Sequence, residues 1–217
     1  MIVVLYNQNN GKHLNLFSGV KGLVSHGNEL KEYLQSRKPE IILISISEGE
    51  VEGLENFIKS PFEMNLSDYE IIYGVRLSKY GEVMTPPPIY TETVLYSMHT
   101  GRKIVGIDMP QAEFDELYTN SMKTRHLLRH SIRKKRVLNH DFKDTNEYEF
   151  SENWIRRINA VKGLANIDLE RAKHMENEIL SFVNDKYVEN HLIVIDHEFY
   201  KPLINDLVAE GWTVRKV

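Results

Sequence analysis

The chain has 217 residues, of which 41% are hydrophobic and 27% are charged, and its formal net charge is −4. These values are typical of one globular domain and exclude a disordered or fibrous protein. The chain has no cysteine, which excludes disulfide bonds, thiolate zinc sites and a cysteine nucleophile. Its apolar runs are far shorter than the roughly 20 residues of a membrane helix, and its first residues lack the basic segment of a signal peptide. We therefore expect a cytoplasmic protein with no membrane span.

The first half of the chain alternates between strand patterns and helix patterns. In chain order, we predict a strand at 3–6, a short strand at 13–17, a helix at 28–35 with Asn28 as its N-cap, a buried strand at 41–46 and a helix at 51–58. The run 41–46 is nearly continuous in β-branched residues, as in strands that are buried on both faces of a parallel sheet. The segment 69–75 fits either a strand or a helix.

The second half continues the alternation. We predict a helix that enters at Pro88 and ends near His99, a strand at 103–108, one or two helices at 111–138, an exposed acidic loop at 141–149, a helix at 169–183 with Asp168 as its N-cap, a strand at 191–195, a helix at 199–209 and an edge strand at 212–217. Strands that alternate with helices favour right-handed crossovers and a layered fold. The expected fold is therefore a single α/β domain over 1–217. Its central sheet is largely parallel or mixed and is flanked by helices, and a helical insertion covers about 120–151.

Polar residues follow four of the predicted strands. They are Asn7 and Asn9, Glu48, Asp108, and Asp196 with His197. Ligands of open α/β sheets bind beyond the carboxyl ends of the strands, where carboxylates and an imidazole could hold a divalent metal or transfer protons. The same residue types also cap the next helix, as Asp196 would before a helix near Glu198. Both interpretations stay open.

A basic segment lies at 123–136, within a stretch that has no acidic residue between Glu116 and Asp141. Four of its arginines share one helical face: Arg125, Arg129, Arg133 and Arg136. This face could contact phosphates of a nucleic acid or another anionic partner. The alternative is a solvated helix that packs Leu127, Leu128 and Ile132 inward, or that pairs with the acidic loop 141–149 of its own or a second subunit. The negative net charge and the absence of interleaved aromatic residues make nucleic acid the less favoured partner.

Four phrases of the chain, and the order of its elements, resemble the TraB/PrgY family. The phrases are PEIILISISEGEVEGLENF, GRKIVGIDMP, LERAKHMENEIL and HLIVIDHEFYKPLINDLVAEGW. Glu170, Arg171, Met175 and His197 fall where that family has Glu-Arg, Met and the His of its Gly-x-Gly-His motif, and Asp108 matches the family's Asp. The wider group includes GumN, Tiki, ChaN-type proteins and erythromycin esterases. Its members are proposed metal-dependent peptidases, esterases, or binders of iron and heme.

The chain departs from this family at other motif positions. The first strand is followed by 7–10, which contains no His, and Ser45 stands where the family has a Glu. Met109 and Asp196 replace the Arg after the family's Asp and the last Gly before its His. Glu48 lies three residues beyond Ser45 and could substitute for the missing carboxylate. The resemblance thus implies a hydrolase-type site that is altered in this chain.

Two functions are compatible with these observations. The first is a TraB-like protein with a degenerate hydrolase-type site. It would bind an anionic or peptide partner through Asn7, Asn9, Arg129 and Arg133, as a homo-oligomer. The alternative is a metal-dependent peptidase or esterase acting on a small molecule or peptide. Its remodelled site would use Asp108, His197, Glu170, Arg171 and Glu48, with a possible divalent metal. The sequence does not decide whether catalysis is retained.

Overall fold

The computed structural model describes residues 1–139, 143–158 and 160–216. Its strands are β1 (Ile2–Asn7), β2 (His13–Gly19), β3 (Ile41–Ile44), β4 (Lys103–Gly106), β5 (His191–Asp196) and β6 (Trp212–Lys216). Its helices are α1 (Val24–Arg37), α2 (Glu48–Lys59), α3 (Asp68–Leu77), α4 (Pro88–Thr100), α5 (Gln111–Ser121), α6 (Thr124–Asn139), α7 (Glu147–Ile158), α8 (Lys162–Asp185) and α9 (Tyr200–Ala209). A short 3-10 turn, His197–Phe199, joins β5 to α9.

The strands form one mixed sheet in the order β4-β3-β5-β2-β1-β6. The neighbours β4, β3, β5 and β2 are parallel to one another, whereas β1 runs antiparallel to both β2 and β6. Helices cover both faces of this sheet, so the predicted α/β class is confirmed. The central position of β3 and β5 explains why both are buried along their whole length.

Alternate side chains of β3 belong to two apolar clusters, one on each face of the sheet. Ile42 and Ile44 pack with α1, α2 and α4, while Ile41 and Leu43 pack with α8 and α9. A third cluster lies beyond the carboxyl end of β2 and joins α3, α6 and α7. Its buried members are Val20, Leu23, Ile72, Tyr73, Leu77, Val137, Phe150 and Trp154. The predicted helical insertion therefore packs part of its length back onto the domain.

Two helices begin earlier than their predicted caps. The first, α1, begins at Val24 rather than at Asn28, because Gly27 allows the extra turn to pack against Pro88. The other, α8, begins at Lys162 rather than at Asp168, since Gly163 lets its first turn approach the end of α5. Close approach of two backbones is a tertiary requirement that a cap-residue pattern does not reveal.

Two further segments are helical in the structure, wholly or in part. The ambiguous segment 69–75 lies within α3, which begins with a capping box formed by Ser67 and Glu70. Within the predicted acidic loop 141–149, residues 147–149 form the first turn of α7, and 141–142 lie outside the described residues. Among the helices that the structure describes, none is long and apolar enough to cross a membrane.

We expect Gly27→Ala to lower the free energy of unfolding by about 1–3 kcal/mol, because a Cβ there would lie 2.4 Å from the Cβ of Pro88. The control is Gly53→Ala in α2, where a Cβ meets nothing within 4 Å. It should instead stabilise the protein by about 0.5–1 kcal/mol through helix propensity. Urea denaturation of both variants measures the difference. A Gly27→Ala protein as stable as the wild type would contradict this close packing of α1 and α4.

Candidate functional site

A cleft of about 510 Å³ opens beyond the carboxyl ends of β2, β3 and β5. Its floor is polar and includes Lys21, Ser45, Tyr90, Arg171, Asp196 and Glu198. One wall is apolar and includes Ile46, Leu54, Phe57, Phe62, Met64 and Pro87. The parallel strands explain this arrangement, because their carboxyl ends meet at one edge of the sheet. We call this site the strand-end cleft.

An ion triad occupies the floor of the strand-end cleft. The Nζ of Lys21 lies 3.2 Å from Oδ2 of Asp196 and 2.9 Å from Oε1 of Glu198. Parallel pairing of β2 with β5 aligns Gly19 with Asp196, and this register brings Lys21 next to the end of β5. Oδ1 of Asp196 also accepts a hydrogen bond from the backbone N–H of Glu198, so its predicted capping role is confirmed.

Burial and mutual repulsion set the protonation of this triad. Burial, followed by repulsion from Glu198, raises the pKa of Asp196 to about 6, although Lys21 acts in the opposite direction. Burial alone would lower the pKa of Lys21, but Asp196 and Glu198 outweigh it and hold this pKa well above its ordinary value. Lys21 therefore stays protonated between the two carboxyl groups, and ionisation of Asp196 adds a negative charge to the triad.

Ser45 and Tyr90 complete the floor. Oγ of Ser45 accepts the backbone N–H of Asp196 at 2.9 Å and lies 3.3 Å from the hydroxyl of Tyr90. Burial raises the pKa of Tyr90 well above its ordinary value, so the phenol stays neutral. These contacts hold the end of β5 against β3 through neutral hydroxyl groups.

Asp108, which is buried, and Arg171, which is partly buried and lines the strand-end cleft, form an ion pair. Nε of Arg171 donates to Oδ2 of Asp108 at 3.1 Å, and Nη2 donates to the same oxygen. The backbone N–H of Met109 donates to Oδ1 at 2.8 Å, and the ring of Phe199 lies 4.8 Å from the guanidinium. Burial would lower the pKa of Arg171, but Asp108 outweighs it and the pKa is raised. The carboxylate of Asp108, which the sequence predicted as a site residue, thus already accepts hydrogen bonds from Arg171 and Met109.

His197 does not line the strand-end cleft. Its Nδ1 lies 2.8 Å from Oγ of Ser18, and its Nε2 lies 3.4 Å from Oε1 of Glu152. The rings of Tyr148 and Tyr200 enclose the imidazole at centroid distances of 4.7 and 5.5 Å. Burial lowers the pKa of His197 to about 4, even though Glu152 acts in the opposite direction. The structure therefore does not bring Asp108 and His197 together in one cavity.

Glu48 and Glu170 occupy two further positions. Oε1 of Glu48 accepts the backbone N–H of Gly106 at 3.0 Å, and Glu48 lines a second cavity, of about 720 Å³, together with Asp108. Glu170 lies on the surface of α8, 3.9 Å from the ammonium of Lys173. In the part of the chain that the structure describes, no group of three or more His, Asp or Glu side chains is placed to hold a metal ion.

The expectation that Asn7 and Asn9 lie beside the other strand ends is wrong. Because β1 runs antiparallel to β2, its carboxyl end lies at the opposite edge of the sheet. There Oδ1 of Asn7 accepts the backbone N–H of Asn9 at 2.9 Å, which stabilises the turn into β2. These asparagines therefore have a turn-forming role.

Arg129 and Arg133 lie on α6, and neither is among the residues that line the strand-end cleft. The expectation that Leu127, Leu128 and Ile132 pack inward is wrong, because all three are exposed. His126 and Val137 occupy the buried side of α6 instead. The helix is rotated so that its histidines, rather than its leucines, meet the domain.

Several residues of the strand-end cleft were not predicted as site residues. Asp196 was recognised only as a strand-end residue, whereas Lys21 and Tyr90 had no motif to mark them. Lys21 follows a short strand whose place beside β5 is a matter of topology. The only local signal was the pair of carboxylates, Asp196 and Glu198, directly after a buried strand. In comparisons with known proteins, no family model and no curated protein matches the chain.

We expect Asp108→Asn to lower the free energy of unfolding by about 2–4 kcal/mol, because it leaves the largely buried guanidinium of Arg171 without its counter-charge. Glu170→Gln, on the exposed surface of the same helix, should change it by less than about 0.5 kcal/mol. Thermal and urea unfolding at neutral pH compare the two variants. Equal stability of both would show that Asp108 is not needed to compensate Arg171.

We expect acid to destabilise the fold through His197 between pH 6.5 and about 4. In this window the unfolded chain binds a proton on the imidazole and the folded chain does not, so stability is lost as the pH falls, by about 2–3 kcal/mol. His26 acts in the same sense, since burial lowers its pKa too. Asp196 acts in the opposite sense, because its pKa is raised and the folded chain takes up that proton first.

Urea midpoints measured across this pH range for the wild type and for His197→Asn give the contribution of His197 to the pH dependence of stability. Asp196 and His26 are common to both proteins, so their contributions cancel in the comparison. The variant should lose less stability on acidification than the wild type. An equal loss of stability with falling pH in both proteins would show that protonation of His197 does not cause the acid destabilisation.

Proposed function

We propose that this chain is a TraB-like α/β binding protein rather than a catalyst. Its strand-end cleft would bind a small molecule or a peptide side chain that has an apolar body and a cationic end. The observation that carries this proposal is the buried floor of the cleft, where Asp196 and Glu198 share a single lysine beside an apolar wall. Pockets of this kind typically take a ligand whose apolar part fills the wall and whose polar end is fixed by a few groups.

The charges of the strand-end cleft favour a cation. Four of its lining side chains are acidic and two are basic: Glu50, Glu70, Asp196 and Glu198 against Lys21 and Arg171. Arg171 is already neutralised by Asp108. A cationic group near Asp196 would offset its repulsion from Glu198, and this attraction is strengthened by the reduced dielectric of a buried site. The charges of the cleft thus favour a ligand with a cationic end over a ligand with an anionic end.

The apolar wall supplies a surface for the body of the ligand. Phe57 and Phe62 pack edge to face at 5.4 Å, and Phe62 remains 60% exposed at the cleft. Met64 is also exposed and follows it in the segment between α2 and α3. Exposed apolar side chains that line a concave site commonly mark a binding surface. A ligand body against this wall would remove them from water.

The proposed resemblance to the TraB/PrgY group rests on the sequence positions described above, among them Asp108 and Arg171, which contact each other in this chain. A binding role is favoured over catalysis because Asp108 and His197 each contact protein groups, away from each other. The alternative, a metal-dependent hydrolase, would draw on Glu48 and Asp108, which line the second cavity. There, however, Asp108 already accepts hydrogen bonds from Arg171 and Met109.

The test uses 2-phenylethylamine as a minimal aromatic cation and 3-phenylpropanoate as its anionic counterpart, with binding measured by NMR titration. We expect the amine to bind with a dissociation constant on the order of millimolar, and the carboxylate to bind at least about 10-fold more weakly. Affinity for the amine should rise as the pH increases through about 6, because Asp196 must be ionised. Glu198→Gln and Asp196→Asn should each weaken binding about 10-fold.

Glu113→Gln, outside the strand-end cleft, is the matched control and should bind the amine as the wild type does. Tighter binding of the carboxylate, or amine binding that is insensitive to Glu198→Gln, would contradict the proposal.

A further inference from the structure

Contacts on its inner side fix how α6 is oriented. His126 is buried, and its Nδ1 donates to the carbonyl oxygen of Ser121 at 2.9 Å. One turn later, the ring of His130 stacks on Tyr69 at a centroid distance of 4.6 Å. Val137 is buried two turns further on, in the cluster that includes α3 and α7. Because these three residues lie on one side of the helix, the opposite side must face outward.

The outward side of α6 combines apolar and basic residues. Leu128 and Ile132 are 64% and 58% exposed, and they are spaced by one helical turn. Arg125, Arg129 and Arg136 are exposed along the same side. None of the ion pairs found among the described residues involves these three arginines. We call this surface, formed by Leu128, Ile132 and the three arginines, the basic face of α6.

We propose that the basic face of α6 docks onto an anionic lipid surface, with Leu128 and Ile132 entering the headgroup boundary and the arginines binding lipid phosphates. Helices that lie in a membrane interface have this composition: low overall hydrophobicity, exposed aliphatic side chains and adjacent cations. Each cation near an anionic leaflet adds an electrostatic attraction that salt weakens. Burial of two aliphatic side chains adds a contribution that does not depend on salt.

Charge and chemistry favour lipid over other occupants of this surface. A second copy of the chain docked face to face would oppose arginine with arginine. A nucleic acid would place Leu128 and Ile132 against charged phosphates, and the basic face offers no aromatic ring on which bases could stack. In a bilayer interface, by contrast, phosphates and acyl chains lie next to each other, as the two residue types do here.

The experiment is vesicle flotation of the full chain at low ionic strength. One set of vesicles contains phosphatidylcholine alone, and the other contains equal parts of phosphatidylcholine and phosphatidylserine. We expect binding to the anionic vesicles only, with at least about a 10-fold loss of affinity in Leu128→Ser/Ile132→Ser and in Arg125→Gln/Arg129→Gln. Higher salt should weaken binding of the leucine–isoleucine variant as well as of the wild type.

The matched controls change similar side chains elsewhere on the surface. Ile71→Ser/Val75→Ser removes two exposed aliphatic residues one turn apart on α3, and Arg102→Gln/Lys103→Gln removes two exposed cations. Both should bind the anionic vesicles as the wild type does. Circular dichroism confirms that each variant is folded.

Three results would overturn the proposal: no flotation with anionic vesicles, equal loss of flotation in the control variants, or tighter binding of a DNA duplex than of the vesicles. Concentration-dependent dimerisation that Ile132→Ser abolishes would also overturn it, since the face would then be an interface between copies.

Discussion

The parallel pairing of β5 with both β3 and β2 is the constraint on which the rest of the structure depends. A strand from the last part of the chain lies at the centre of the sheet, so 191–196 must align with 41–44 on one side and with 16–19 on the other. This register places the residue after β3, the last residue of β5 and the loop after β2 at one edge. The strand-end cleft is therefore a consequence of sheet topology rather than of any contiguous motif.

Two carboxylates near this edge have different environments, although both lie at strand ends: Asp108 comes two residues after β4, and Asp196 is the last residue of β5. Asp108 is matched by a guanidinium and a backbone N–H, so its charge is compensated within the protein. Asp196 shares one ammonium with Glu198, and its pKa is raised as a result of burial and repulsion. Asp108 therefore acts as a structural anchor between β4 and α8, whereas Asp196 retains negative potential that a ligand can use.

The domain presents two charged surfaces of opposite sign. The strand-end cleft carries an excess of carboxylates, while the basic face of α6 carries exposed arginines, and α3 lies between them in the structure. Glu70 of α3 lines the cleft, and Tyr69 beside it contacts His130 of α6.

Local sequence patterns were enough to predict the fold class, the buried strands β3 and β5, and a candidate site at strand ends, because hydrophobic runs and helix signals are local. The sequence also marked Asp108 and Arg171, which contact each other. It did not determine strand direction or order, so Asn7 and Asn9 were expected at the wrong edge, and Lys21 and Tyr90 were not recognised. Nor did it determine how α6 is rotated, since a pattern of leucines and arginines does not state which side meets the domain. Only tertiary packing decided these features, because they depend on contacts between residues that are far apart in the chain.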